Sequence, residues 1–362
     1  MTEREREILS LILNNPMISQ NEIADLLGIS RSGVAAHIFN LTKKGYIEGR
    51  GYIIKESDFV SIIGGINMDI LGISLDSLIL NNSNPGKISF ALGGAGRNIS
   101  LGLTKLNVPN YFISVHGDDL NGDKFKQDSQ KNGMNIQYVK ELPNERTSTY
   151  LYIDDQKGNR AVGIDDMDIY EKINSEFLKD KIDIINNSRY CIIDTNLTTE
   201  AIDWIYEHCK VPIFVKTVSE NKNYKLLSQL NKVNTLITTP NELKGIIRVL
   251  TDSELSLNKS LDLLLNNGVG NILVYSPDDG LYFKNNEELF HIHKKSDKAI
   301  NKTGASASLT SALVWALTKN FTWKDSLHYA YAAAAISIES PFPISEDLST
   351  DTLVTTHTLL FG

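Results

Sequence analysis

The stretch ALGGAGRNISLGL (91–103) decides the fold, because Gly93, Gly94 and Gly96 crowd the end of a β-like run just before a helical pattern. Glycines there let a ligand approach the backbone, and the N-terminus of the helix offers N–H groups. Toward the N-terminus, IIGGINMDILG (62–72) sets Gly64 and Gly65 at the end of an apolar strand and follows them with Asn67 and Asp69. Two residues apart on a strand, both side chains point to one side, into the crevice where open sheets bind ligands. Toward the C-terminus, INKTGASASLTSALVWAL (300–317) repeats the device, with Gly304 opening an apolar helix. One such turn means only tight strand–helix packing; three in this order point to a ligand site.

Around these turns, FVSIIGGI, YFISVHG, YCIIDTNL, VPIFVKT, VNTLITT and NILVYS are short apolar runs that read as buried parallel strands. Helical patterns such as RNISLGLTKL, TEAIDWIYEHC and LSLNKSLDLLLNNG separate them, so the reading is α/β with a doubly wound sheet. KISFALGG and TSTYLYIDDQKGNRAVGI alternate with period two instead, and the second predicts a hairpin outside the main sheet.

Residues 1–55 are a different kind of chain. They carry a net charge of +1, against −9 for residues 56–362 and −8 overall. An acidic whole argues against nucleic-acid binding over the entire surface, but a small DNA-binding piece is compatible with it. Apolar periodicity marks three helices, at Ile8–Ile12, Ile23–Leu27 and Val34–Leu41. Ser19 and Glu22 predict a capping box, Gly28 a helix stop, and Ser30 the cap of the third helix. GYIEGRGYII (45–54) then alternates like a short hairpin. No run approaches the roughly 18 apolar residues of a membrane span, and the charged opening MTEREREILSLILNN is unlike a secretory signal. Two cysteines, Cys191 and Cys209, make neither a disulfide scaffold nor a Cys-rich zinc site, so a cytoplasmic protein is expected.

ISQNEIADLLGISRSGVAAHIFNLTKKGYIEGRGYII (18–54) resembles a winged helix-turn-helix. The resemblance implies double-stranded DNA as partner, with Ser30, Arg31, Ser32, His37 and Asn40 facing the DNA and Lys43, Lys44 and Arg50 on phosphates. From about residue 58 to 345, IGGINMDILG, GGAGRNISLGLTKLN, HGDDLNGDKF, ERTSTYLYIDDQKGNRAVGIDDMDI and INKTGA resemble the ribokinase-like (PfkB) sugar and nucleoside kinases, nearest their pseudouridine-kinase branch. That implies a ribokinase-like doubly wound sheet with a small β lid near 70–92 and 146–164, and a lid-mediated homodimer. Asn67, Asp69, Gly93, Gly94, Asn98, Thr147 and Asp166 would bind a sugar or nucleoside, and the turn Gly304, Ala305, Ser306 would hold an anion. Arg97, inside the glycine turn, reads equally as a phosphate contact or an ion pair at the helix start. The expected division is a winged helix-turn-helix at 1–55 and the kinase-like domain at 56–362.

The family transfers the γ-phosphoryl group of ATP with Mg²⁺, using an Asp that takes the hydroxyl proton, and here the match fails. Ala307 stands at the base position and Ser306 replaces a glycine. In the N-x-x-E motif Lys244 occupies the carboxylate position, with Glu242 two residues early, and Asp278 occupies a nucleotide-side glycine position. Sugar-side motifs are retained while ATP-side motifs are eroded. The expectation is a transcription regulator whose degenerate kinase-like domain senses a nucleoside, sugar or sugar phosphate, requiring no cofactor and no metal. The rival is an ATP-dependent pseudouridine or sugar kinase, which would need ATP and Mg²⁺.

Overall fold

A computed structural model of the chain describes residues 1–15, 18–47, 59–156, 160–295 and 304–362. The head comprises α1 (Glu3–Asn14), α2 (Gln20–Leu27) and α3 (Arg31–Lys43), packed around Ile8, Ile12, Ile23, Val34, Ile38 and Leu41. The Ser19–Glu22 capping box is formed, Gly28 closes α2 in the left-handed region, and the Ser30 hydroxyl accepts from Gly33 N. The hairpin expected at 45–54 falls mostly outside the described residues, as does Arg50.

Among the described residues, thirteen strands build the body: β1 (Val60–Ile63), β2 (Asn67–Ser74), β3 (Gly86–Gly93), β4 (Asn110–Gly117), β5 (Tyr138–Leu142), β6 (Ser148–Asp154), β7 (Arg160–Asp166), β8 (Tyr190–Asp194), β9 (Ile213–Lys216), β10 (Val233–Thr238), β11 (Asn271–Ser276), β12 (Gly280–Lys284) and β13 (Leu289–His293). Nine form the main sheet in the order β13-β12-β11-β10-β9-β8-β1-β4-β5. From β5 to β11 neighbours are parallel; β12 and β13 add an antiparallel edge, so the sheet is mixed. Its helices are α4 (Ala95–Lys105), α5 (Leu120–Lys131), the short α6 (Ser175–Lys179) and α7 (Ile182–Asn186), α8 (Thr199–His208), α9 (Pro240–Thr251), α10 (Leu257–Asn266), α11 (Ala305–Thr318), α12 (Trp323–Ile338) and α13 (Thr350–Phe361).

Strand alternation splits the core into two layers. Ile62, Ile192, Phe214, Ile237 and Leu273 pack toward α4, α5, α11 and α12; Ile63, Ile193, Val215, Leu236 and Ile272 pack toward α8, α9 and α10. Because both faces are covered, the strands are apolar throughout, which is why they read as continuous runs.

The remaining four strands form the separate sheet β3-β2-β6-β7. Its cross-strand registers put Asp69, Tyr150 and Asp165 on one face, and Phe90, Ile70, Leu151 and Ile164 on the other. One face meets the main sheet; on the other, Ile88, Phe90, Val162 and Ile164 are exposed.

Candidate ligand cavity

A cavity of about 350 Å³ lies between the four-stranded lid and the C-terminal ends of the parallel strands. Asn67, Asp69, Tyr150, Arg160 and Asp165 line the lid wall. Asn196, Lys216, Thr217, Thr239, Glu242, Gly304, Ser306 and Ala307 line the main-sheet wall, with Gly94 and Asn98 where the two meet.

Two walls so remote in sequence are registered by Asp194, which is fully buried at the end of β8. Its Oδ2 accepts from Gly65 N at 2.9 Å and Gly96 N at 2.8 Å, and its Oδ1 from Asn196 N at 2.9 Å. Burial raises its pKa against these bonds. The N–H groups of Gly96 and Arg97, expected to face a ligand, are therefore spent on Asp194 and on Gly65 O. Gly94 is required at its place: its φ is +97°, and a Cβ would collide with Gly65 O.

On the lid wall Asp69 is 8% exposed, and burial pushes its pKa up to about 7 despite Arg160, Asn67 and Arg97. The Asn67 amide donates to its Oδ1. Arg160 lies 3.8 Å from the centre of the Tyr152 ring and donates to Asp154 Oδ1 at 3.1 Å and to the Tyr150 hydroxyl at 3.2 Å. Asp165 is held below the usual carboxylate range by Lys222, whose Nζ is 2.6 Å away.

Of the residues expected to touch a ligand, Asn67, Asp69, Gly94, Asn98, Gly304 and Ser306 come together on the cavity. Gly93 does not; it pairs with Asn67 across β2 and β3 and backs the Asp69 carboxylate. Thr147 is buried behind the wall, its hydroxyl donating to Asp119 Oδ1 at 2.6 Å, so it positions the start of β6. Asp166 points to the opposite side of β7 from Asp165 and pairs with Arg146 at 3.0 Å. Ala305 belongs to the core. Arg97 resolves to the ion-pair reading: it is buried, bonded to Asp128, and donates to Asn98 Oδ1 at 2.8 Å. That bond leaves the Asn98 amide nitrogen for the cavity.

The main-sheet wall departs further from expectation. Lys244 is exposed and not on the cavity, so its charge does not enter the site; Glu242 does line it. Glu242 completes the capping box of α9, its Oε2 accepting from Thr239 N at 3.0 Å and Thr217 Oγ1 at 2.5 Å. Ala307 presents a methyl group. Sequence reasoning missed Arg160, Lys222 and Asn196, charged or polar residues in a hairpin, a 3-10 helix and a turn with no motif spacing to single them out.

In the head, Arg31, Ser32, Asn40 and Lys43 are exposed on α3, as a DNA-reading helix requires. Ser30 is occupied as the cap, and His37 is half-buried. Lys44 turns inward, its Nζ 2.9 Å from buried Glu5, because an unpaired carboxylate there would be costly. Burial works against ionising Glu5, but Lys44 and the Thr2 N–H outweigh it and lower its pKa.

The pfkB family carbohydrate kinase model matches residues 57–350, and a winged helix-turn-helix DNA-binding model matches residues 1–48. The chain is 35% identical to the uncharacterized sugar kinase YeiI of Escherichia coli, covering 97% of this chain and 98% of that protein. It is 29% identical to the pseudouridine kinase of the same organism, covering 82% and 95%. Among solved structures, Giardia lamblia ribokinase shares the body's fold with a TM-score of 0.74 at 13% identity, covering 84% and 99%. Arabidopsis thaliana ribokinase complexed with ribose and ATP gives 0.70 at 17%, covering 83% and 99%.

Proposed function

The chain belongs to the pfkB family of carbohydrate kinases, and on that premise we propose that it is a DNA-binding transcription regulator whose kinase-like body senses a nucleoside, sugar or sugar phosphate. One observation carries the reading: Asn67 and Asp69 on the lid wall and Asn98 at its junction with the main sheet line the cavity, while the position matching the family's proton acceptor is Ala307, a methyl on the opposite wall. A methyl group takes no proton from a hydroxyl nucleophile, and loss of a general base typically costs roughly 10²–10⁴ in rate.

The residues present do not fit a magnesium-bridged triphosphate. Glu242 is spent on Thr217 and Thr239 beside Lys216, and Lys244, at the position matching the family's carboxylate, is exposed and off the cavity. ATP and Mg²⁺ are therefore not requirements of this reading. The names of the two E. coli relatives favour the rival, an active pseudouridine or sugar kinase.

Regulation follows from coupling. The exposed apolar face of the lid, with Ile88 at 70% and Phe90 at 63% exposure, suits a second lid packed against it in a cytoplasmic homodimer. Ligand that bridges lid and main sheet favours the closed lid, and so shifts the arrangement of paired heads on double-stranded DNA by its differential affinity for the two states. No helix among the described residues is long and apolar enough to cross a membrane.

Calorimetry with a panel of nucleosides, sugars and sugar phosphates tests the sensor, with a gel shift on the upstream region of the protein's own gene testing its output. Binding lost in Asp69→Ala, with a ligand-dependent change in the shift, is expected. Absence of binding by every member, or binding indifferent to Asp69→Ala, overturns the reading.

A further inference from the structure

Resting on the reading that the head binds double-stranded DNA, we propose that it reads thymine in the major groove through Phe39, with Ala36 beside it. Its operator then carries thymine where the outward face of α3 meets the bases.

Spacing decides which side of α3 faces outward. Val34, Ile38 and Leu41 recur at steps of four and three and are buried with Ile8 and Ile12 of α1 and Ile23 of α2. Ser32, Ala36, Phe39 and Lys43 recur at similar steps on the opposite side, and all four are exposed. Phe39 is the large apolar member of that row, 67% exposed. A single apolar side chain on a surface is ordinary; its surroundings here are not.

Those surroundings carry a second, independent signal. No Asp or Glu occurs anywhere in α3, whereas α1 carries Glu3, Glu5 and Glu7, and α2 carries Glu22 and Asp25. Exposed cations stand at its two ends, Arg31 and Lys43. A face bounded by cations and free of carboxylates is complementary to a polyanion. A second head packed there, α3 against α3, would bring the Arg31 and Lys43 charges of both copies together with no carboxylate on either helix to offset them.

In the major groove thymine differs from the other bases by its C5-methyl group, which Ala and Phe side chains contact. Three residues apart, Ala36 and Phe39 are separated by roughly 4.5 Å along the helix, near the about 3.4 Å between base steps, so they meet neighbouring steps. Ser32 and Asn40 flank them as polar contacts, and the two cations reach phosphates. A row with Arg in place of Phe39 would read guanine instead.

The test is selection by the native full chain, and by Phe39→Ala, from a random pool of DNA duplexes. The selected duplex is then titrated by fluorescence anisotropy with deoxyuridine replacing thymidine at one position at a time. Deoxyuridine keeps the hydrogen-bonding groups of thymidine and lacks only the methyl. At one or two neighbouring positions the native chain is expected to bind the uridine duplex at least about 4-fold more weakly, the worth of one buried methyl group. Phe39→Ala should bind both duplexes equally at the position Phe39 covers, whereas Asn40→Ala should bind more weakly and keep the uridine penalty. If Phe39→Ala binds too weakly to titrate, Phe39→Leu, which keeps a smaller apolar contact, is expected to show a reduced penalty. A selected site without thymine, uridine tolerated at every position by the native chain, or a penalty undiminished in the Phe39 variants overturns thymine readout while leaving the DNA reading standing. No enrichment of any sequence removes the operator-binding reading of the head and this inference with it.

Discussion

The two walls of the cavity differ in what their polar groups have left to give. On the lid wall the buried Asp69 carboxylate accepts from Asn67 at Oδ1 and has its second oxygen for a hydroxyl. On the main-sheet wall the Glu242 carboxylate is spent inside a helix cap, and the ammonium beside it, Lys216, donates to Thr217 O and pairs with Glu242. Recognition of a sugar needs the first arrangement, whereas removing a proton from a sugar needs an acceptor on the second. On the proposed reading, the contrast means that a fold keeps its binding geometry while the chemistry of one corner changes, because the strands that place both walls are fixed by the core.

The comparison breaks most drastically at Asp194, which registers one wall against the other. Asp194→Ala leaves the N–H groups of Gly65, Gly96 and Asn196 buried without partners, an expected loss of about 4 kcal/mol in urea unfolding. A loss under about 1 kcal/mol would mean that the walls are registered by something else.

Next comes Asp69→Asn. Burial raises the folded-state pKa of Asp69 from its ordinary 3.8 to about 7, so ionising it opposes folding. That cost is absent below the unfolded value, grows as pH rises from about 4 to about 7, and is complete above. The variant should therefore gain stability relative to the native chain across this window, by about 4 kcal/mol at pH 8, while losing ligand affinity. Thermal melts from pH 4 to 8 check it; a flat difference would show that the lid wall is not under that strain.

On the outer side of the lid, Phe90→Glu places a charge in the exposed apolar row and should weaken a lid-to-lid dimer at least about 30-fold. Analytical ultracentrifugation reads this, and an unchanged mass would place the dimer contact elsewhere. The smallest effect is expected at Glu242→Gln, which keeps the shape of the α9 cap. It should cost about 0.5–1 kcal/mol and leave binding of uncharged ligands intact. A large loss of neutral-ligand binding would show Glu242 to be more than a cap.

How far the sequence revealed this depends on how local each feature is. Six of the seven parallel strands were legible because burial on both faces leaves them largely apolar, whereas the half-exposed β5 was not, and Asn67 and Asp69 were legible because period two puts them on one side of β2. Ser19, Gly28 and Ser30 were legible because a cap is made within four residues. The family resemblance puts Thr147 at the ligand, but its bond to Asp119 lies across 28 residues and has no local signature. The same holds for Asp194, whose partners Gly65 and Gly96 are 129 and 98 residues away. Lys44 and Lys43 look alike in sequence; only the packing of α3 against α1 shows that one of them serves Glu5. Lys244 illustrates the reverse: motif spacing placed it at the site, and the helix face turns it outward.

The central claim is that the cavity binds but does not transfer. A coupled ADP-release assay on the unmodified full chain, with ATP, Mg²⁺ and each panel member that calorimetry shows to bind, tests it most directly. The account predicts ADP release no faster than without the panel member; release that rises and saturates with any one of them would contradict it.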